Sequence, residues 1–163
     1  MGTSNNRYGS IRNLEKQRIE FQNRIDSKND IEYRRHEGQF STPFALAKEI
    51  TEYAIKLIDD NNISFLEPAV GTGAFISAFL DSMEKSSKKV TKILGIEKDA
   101  DFYEAATTLW GNECVINNDF FKEPANASYN LLICDPPYVR HHYISKEYKP
   151  VSYTHLTLPT IRL

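Results

Sequence analysis

Apolar residues recur at helical spacing along four stretches of the chain and gather into short runs along four others. Ile11, Leu14, Phe21 and Ile25 lie at helical intervals among many charges, which predicts a surface helix from Ile11 to about Arg35 with a thin apolar stripe. Phe44, Ala47, Ile50, Ala54, Leu57 and Ile58 give a second helix its apolar face; Thr42-Pro43 opens it with a capping hydroxyl and a proline in the first turn, and Asp59 to Asn62 closes it. From there the period changes. The runs Ile63 to Glu67, Thr91 to Ile96, Cys114 to Asn117 and Tyr129 to Cys134 read as strands, and helices over Ala74 to Lys85 and Ala100 to Trp110 separate the first three. Strands that alternate with helices predict an α/β fold whose sheet is parallel and built of βαβ units. Met1 to Ser10 is polar and reads as a frayed terminus.

Composition adds little to this picture. Of 163 residues 40% are hydrophobic and 26% charged, as in a globular domain with a sizeable core, and a formal net charge of -2 gives no global reason to expect a polyanionic partner. A role on DNA must then rest on a local site. Eight basic and five acidic side chains lie between Arg7 and Arg35, and the expected reading of that excess is a solvated face rather than a DNA-steering one. No apolar run approaches the roughly 20 residues that span a bilayer, so no membrane role is expected. Cys114 and Cys134 lack metal-ligand spacing, and no charged-then-apolar signal segment opens the chain. A reducing cytoplasm and the absence of a metal are the expectations.

The segment FLEPAVGTGAF, Phe65 to Phe75, runs from an apolar strand through a glycine turn into a helix. Gly71 and Gly73 can adopt backbone angles closed to other residues and let a ligand approach the main chain. A Gly-x-Gly turn alone is weak evidence, but neither the full pyrophosphate fingerprint nor the P-loop lysine follows it. Carboxylates stand there instead. Glu67 lies at the turn, and Glu97 ends the next strand in GIEKD, Gly95 to Asp99. A carboxylate at the second position can accept both hydroxyls of a ribose, and one at the first can pair with a cationic amine. An adenosine joined to an amino acid satisfies both. The third strand ends in NNDFF, Asn117 to Phe121, where Asp119 can accept from an adenine amino group beside aromatic rings.

The sharpest feature is CDPPYVR, Cys134 to Arg140, at the end of the fourth strand. Two successive prolines fix the backbone and remove two donors, so carbonyls can face a ligand in a set geometry. Asp135 and the Pro136 carbonyl can accept from the two hydrogens of an exocyclic amine, while Tyr138 stacks on the base. His36, His141, His142, Trp110 and the cysteines read as ordinary loop or core residues.

The ordered set GQFSTP (Gly38 to Pro43), EPAVGTGAF, GIEKD, NDFF and DPPYVR resembles the motifs of adenine-N6 DNA methyltransferases of restriction-modification systems, over roughly Gly38 to Arg140. The resemblance implies a class I S-adenosylmethionine-dependent methyltransferase fold, a Rossmann-like α/β parallel sheet of which only the N-terminal half is present, preceded by N-terminal helices. It implies that Thr42, Pro43, Glu67, Pro68, Gly71, Gly73, Glu97, Lys98, Asp119 and Phe120 bind S-adenosylmethionine, and that Asp135, Pro136, Pro137 and Tyr138 are catalytic. Only about a dozen residues separate Phe121 from Asp135, which resembles the gamma arrangement with DNA recognition C-terminal to catalysis. Asp135 departs from the asparagine more usual in gamma members. Double-stranded DNA and a restriction endonuclease, separate or fused, are the partners implied. Two alternatives stay open: a protein glutamine N5-methyltransferase, whose Pro-Pro-Tyr motif is similar, and a non-catalytic cofactor-binding fragment.

Val151 to Leu163 fits none of these patterns, and VSYTHLTLPT resembles the translated mosaic-end adapter of transposon-based sequencing libraries. The expected organisation is therefore a mostly helical N-terminal extension over residues 1–37, an incomplete catalytic domain over residues 38–150 and an artefactual tail over residues 151–163. Such a chain is expected to be inactive by itself, for want of later strands and of a DNA-recognition region.

Overall fold

Phe65 and Phe79 stack with ring centroids 4.7 Å apart, and the core is built outward from that contact. A computed structural model describes residues 11–124 and 128–136. The elements are α1 (Ile11–Lys28), α2 (Ile31–Glu37), α3 (Phe44–Lys56), β1 (Asn62–Glu67), α4 (Ala74–Met83), β2 (Lys89–Glu97), α5 (Ala100–Trp110), β3 (Val115–Asn117), a 3-10 turn (Phe120–Lys122) and β4 (Leu131–Leu132). The tail from Val151 lies outside the described residues, as do Met1 to Ser10.

All pairings in the sheet are parallel and the strand order is β3-β2-β1-β4. The chain moves outward from β1 through β2 to β3, then returns to the other side of β1 for β4. This reversal opens a crevice outside the carboxyl ends of β1 and β4, the place where ligands bind in open α/β sheets. Phe65 pairs in register with Ile93 and Leu131, and this row faces the core under the helices. Leu66 pairs with Leu94 and Leu132 one position on, so that row faces the opposite side, where Leu132 is exposed. β4 is short by pairing, yet Asn130 N–H donates to Ser64 O and Ile133 N–H to Leu66 O, both at 3.2 Å, so its hydrogen bonds to β1 span most of the apolar run.

Three expectations need correction. The Thr42 hydroxyl does not cap α3, because Pro43 holds the N-cap position with no side-chain hydrogen bond and Thr42 Oγ1 donates to Asp135 instead. The single helix expected from Ile11 to Arg35 is two helices, because Asn29 and Asp30 interrupt it and Asp30 caps α2 by accepting from Tyr33 N–H at 2.8 Å. Short polar side chains of this kind compete with helix interiors and favour caps. Nor is the charged side of α1 simply solvated. Glu15, Arg18 and Gln22 are buried, on the line joining buried Ile11 and Ile25. The inward face repeats at intervals of four and three residues through positions 11, 15, 18, 22 and 25, with polar side chains in its middle. α1 packs there against α4 and α5, while α3 packs on α4.

Candidate active site

The turn after β1 is shaped by two left-handed glycines. Gly71 has φ 54° and Gly73 has φ 89°; Val70 N–H donates to Ile96 O at 3.0 Å and Gly73 N–H to Val70 O at 2.7 Å. The glycines serve different ends. A Cβ at Gly73 would run into Trp110 Nε1, which donates to Thr72 O at 2.9 Å, so the indole presses against the turn from below. A Cβ at Gly71 would meet nothing within 4 Å, because that position borders open space.

Two carboxylates frame this turn. Glu67 is 2% exposed, and its Oε2 accepts from Ile76 N–H at 3.1 Å in the first turn of α4. Burial pushes its carboxyl well above the usual range, opposed by the amides of Ile76 and Phe75 and by the charge of Arg18. Glu97 joins β2 to the same turn: Oε2 accepts from Gly71 N–H at 2.7 Å and Oε1 from Asp99 N–H at 2.8 Å. Burial raises its carboxyl too. Each carboxylate oxygen can accept more than one hydrogen bond, so these contacts leave capacity for a ligand.

Above the turn lies the inward face of α1. Arg18 Nε and Nη2 donate to Glu15 at 2.8 and 2.7 Å, and Nη1 reaches Thr72 Oγ1 at 3.1 Å and Ser41 Oγ at 3.3 Å. Thr72 Oγ1 donates in turn to Gln22 Oε1 at 2.9 Å. Sequence reasoning missed Arg18, Gln22, Ser41, Thr72 and Trp110 here. The available signal was the spacing of Glu15, Arg18 and Gln22 between Ile11 and Ile25, which continues the buried stripe through polar residues.

The segment Gly38 to Pro43 crosses to the remaining wall. Gln39 Nε2 donates to Asp99 Oδ2 at 3.2 Å, and Thr42 Oγ1 donates to Asp135 Oδ2 at 2.8 Å just beyond β4. Together these elements enclose a cleft of about 510 Å³ at the carboxyl edge of the sheet. Thr42, Glu67, Gly71, Glu97, Lys98 and Asp135 all line it, as do Tyr33, Phe40 and Phe102. Among the described residues its wall carries four carboxylates, Glu67, Glu97, Asp99 and Asp135, against the single lysine Lys98. Such a wall suits a ligand bearing positive charge and hydroxyl groups.

The other residues singled out from sequence fall nearby. Pro43 precedes α3, while Pro68 and Gly73 shape the turn without facing the cleft. Asp119 caps the 3-10 turn, its Oδ1 accepting from Phe121 N–H at 3.1 Å and its Oδ2 lying 3.9 Å from Lys98 Nζ. Asp119 and half-buried Phe120 sit past β3, outside the lining of the cleft. Pro136 is exposed beside Asp135; Pro137, Tyr138, His141 and His142 lie outside the described residues. Burial pushes the Cys134 thiol up to about 12, so it stays protonated and is no nucleophile.

No protein-family profile matches the chain. Among curated proteins it is 28% identical over 116 residues to the Type II methyltransferase M.AccI of Acinetobacter calcoaceticus, covering 69% of this chain and 20% of that protein. It is 30% identical over 126 residues to M.CvrRI of a Paramecium bursaria Chlorella virus, covering 77% and 30%. To M.HincII of Haemophilus influenzae it is 34% identical over 110 residues, covering 67% and 18%. The matched segment thus spans 18% to 30% of the length of these relatives. Among solved structures, a Listeria monocytogenes protein described as a class I S-adenosylmethionine-dependent methyltransferase superposes with a TM-score of 0.56 at 20% identity, over 79% of this chain and 42% of that one. The chain therefore has the class I S-adenosylmethionine-dependent methyltransferase fold, and its sequence relatives are Type II methyltransferases of restriction-modification systems.

Proposed function

We propose that the cleft binds S-adenosylmethionine and that this chain forms the cofactor side of a DNA methyltransferase acting on the N6 amino group of adenine. The observation that carries the reading is the Thr42–Asp135 hydrogen bond, which holds the carboxylate of the DPPY motif at the rim of the cleft lined by Glu67, Gly71 and Glu97. The residues present fit the cofactor. Gly71 leaves room for a ligand against the main chain, and the acidic wall suits a sulfonium and an α-ammonium group. Glu67 would face the amino-acid moiety and Glu97 the ribose, with Lys98, Asp119 and Phe120 toward the adenine end. Bound there, the cofactor supplies an electrophilic methyl group on cationic sulfur.

The chain's own residues handle the substrate amine. Asp135 and the Pro136 carbonyl accept its two hydrogens and so localise the nitrogen lone pair in one direction, with Tyr138 stacked on the base. Thr42 fixes one Asp135 oxygen and leaves the other lone pairs of the carboxylate to accept. An adenine amine is reachable only when the base leaves the duplex, so the substrate enters as a flipped nucleotide. DNA recognition in this reading falls to sequence C-terminal to Asp135, and a cytoplasmic restriction-modification system is the setting. Among the described residues no helix is long and apolar enough to cross a membrane.

The test supplies radiolabelled S-adenosylmethionine, with mixed-sequence duplex DNA or with a release factor as the protein substrate, to a full-length methyltransferase that carries this segment, followed by digestion of the DNA to nucleosides and of the protein to amino acids. Label in N6-methyladenine is expected. Label on protein glutamine and none on DNA would overturn the reading.

A further inference from the structure

One guanidinium touches both segments that border the cleft. Glu15 accepts from Nε and Nη2 of Arg18 and so fixes the plane of the group, which aims Nη1 at Thr72 and Ser41. Thr72 stands between two left-handed glycines whose torsions change at little cost, and Ser41 directly precedes the threonine that binds Asp135. We propose that Arg18 is a positioning residue that locks the Gly71–Gly73 turn and the Ser41–Thr42 segment into one frame, setting the bound cofactor against Asp135. The proposal rests on the reading of the cleft as an S-adenosylmethionine site.

Attachment of α1 to the core does not by itself call for an arginine. A buried ion pair is costly to desolvate, and apolar side chains of similar volume join elements as well or better. Ile11 and Ile25 already do so at the two ends of the stripe. What the polar middle adds is direction. Thr72 Oγ1 accepts from Arg18 and donates to Gln22, Gln22 Nε2 donates to Asp26 at 2.9 Å, and the Thr72 carbonyl accepts from Trp110. The residue between the hinges is thereby held through its side chain and its backbone together. The charge of Arg18 also acts on Glu67, which ends the strand that enters this turn.

The test uses the 163-residue chain with R18Q, R18K and T72V, reading amide hydrogen exchange at Gly71 and Gly73 against Ala106 in the middle of α5. R18Q and T72V are expected to speed exchange at both glycines by about tenfold or more with Ala106 unchanged, since each removes a buried hydrogen bond to the turn. R18K keeps the charge but not the fork, and is expected to follow R18Q rather than the wild type. By calorimetric titration, S-adenosylhomocysteine should bind about tenfold more weakly to both R18Q and T72V, and the double variant no more weakly than R18Q. T72V decides the matter where R18Q lowers the melting temperature. Wild-type exchange at the glycines in T72V, or acceleration at Ala106 in step with them, would overturn the proposal. If the wild type binds no S-adenosylhomocysteine, the reading of the cleft falls along with the alignment of cofactor and Asp135, and exchange alone decides the hold on the turn.

Discussion

Thr42 Oγ1 donates a 2.8 Å hydrogen bond to Asp135 Oδ2, joining residues 93 positions apart across the mouth of the cleft. Thr42 is almost fully buried and Asp135 stands at its edge, so the hydroxyl acts as a fixed donor that aims an otherwise rotatable carboxylate. In an active enzyme carrying this segment, Thr42→Val keeps the shape and removes the donor. Methyl transfer is expected to slow about tenfold in single-turnover assays, with a smaller change in cofactor affinity. Asp135→Ala should slow it further still. An equal loss of rate and affinity in Thr42→Val would move the residue's role from substrate to cofactor.

Glu67 makes stability depend on pH in an unusual direction. Its folded pKa lies well above the ordinary value of 4.5, with burial the largest cause. Above that ordinary value the unfolded chain has released the proton while the folded chain still holds it. Stability therefore falls as pH rises from about 4.5 through the folded pKa, and levels off beyond it. Glu97 is raised as well and adds in the same sense. In urea titrations across this window, Glu67→Gln is expected to flatten the decline without abolishing it. An unchanged slope would show that Glu67 is ionised throughout.

The two glycines of the turn should respond differently to alanine. Gly73→Ala combines a left-handed φ with a Cβ set into the Trp110 indole, and is expected to cost more than about 2 kcal/mol in thermal or chemical denaturation. Gly71→Ala meets only the torsional penalty, about 1–2 kcal/mol, yet its methyl group would project into the cleft. It should weaken S-adenosylhomocysteine binding by more than its effect on stability suggests. The reverse order of stability losses would contradict the packing of Trp110 against Gly73.

Ser77 is fully buried in α4, and its hydroxyl has no hydrogen-bond partner among the described residues. An unpaired buried hydroxyl carries a desolvation cost with no return bond. Ser77→Ala is therefore expected to leave stability unchanged or raise it by up to about 1 kcal/mol. A clear loss on denaturation would mean that the hydroxyl bonds within its own helix.

The strands and most helices were legible in the sequence because their signals are local. A period of two or of 3.6 is written in neighbouring residues, and the Gly-x-Gly turn, the acidic strand ends and Asp-Pro-Pro each occupy a few adjacent positions. The alternation of strands with helices also implied a parallel sheet, and the β3-β2-β1-β4 arrangement brings Glu67, Glu97 and Asp135 to one edge. The break at Asp30 was harder to see, because charged residues with good helix propensity flank it and only a capping geometry reveals the interruption.

What the sequence by itself determined is the alternation of elements and the chemistry available at each strand end, both of which depend on short-range spacing and residue type. Tertiary structure alone decided which polar residues are buried, since burial depends on what another part of the chain lays over them. Arg18, Glu15 and Gln22 look like any charged helix face until α1 packs on α4 and α5, and that packing sets Arg18 against Thr72, 54 positions away. Trp110 likewise becomes the floor of the glycine turn only through contacts that no local pattern encodes. The physical reason is that a hydrogen bond between distant residues requires each to fit its own element as well as its partner, and a sequence displays only the first of those conditions.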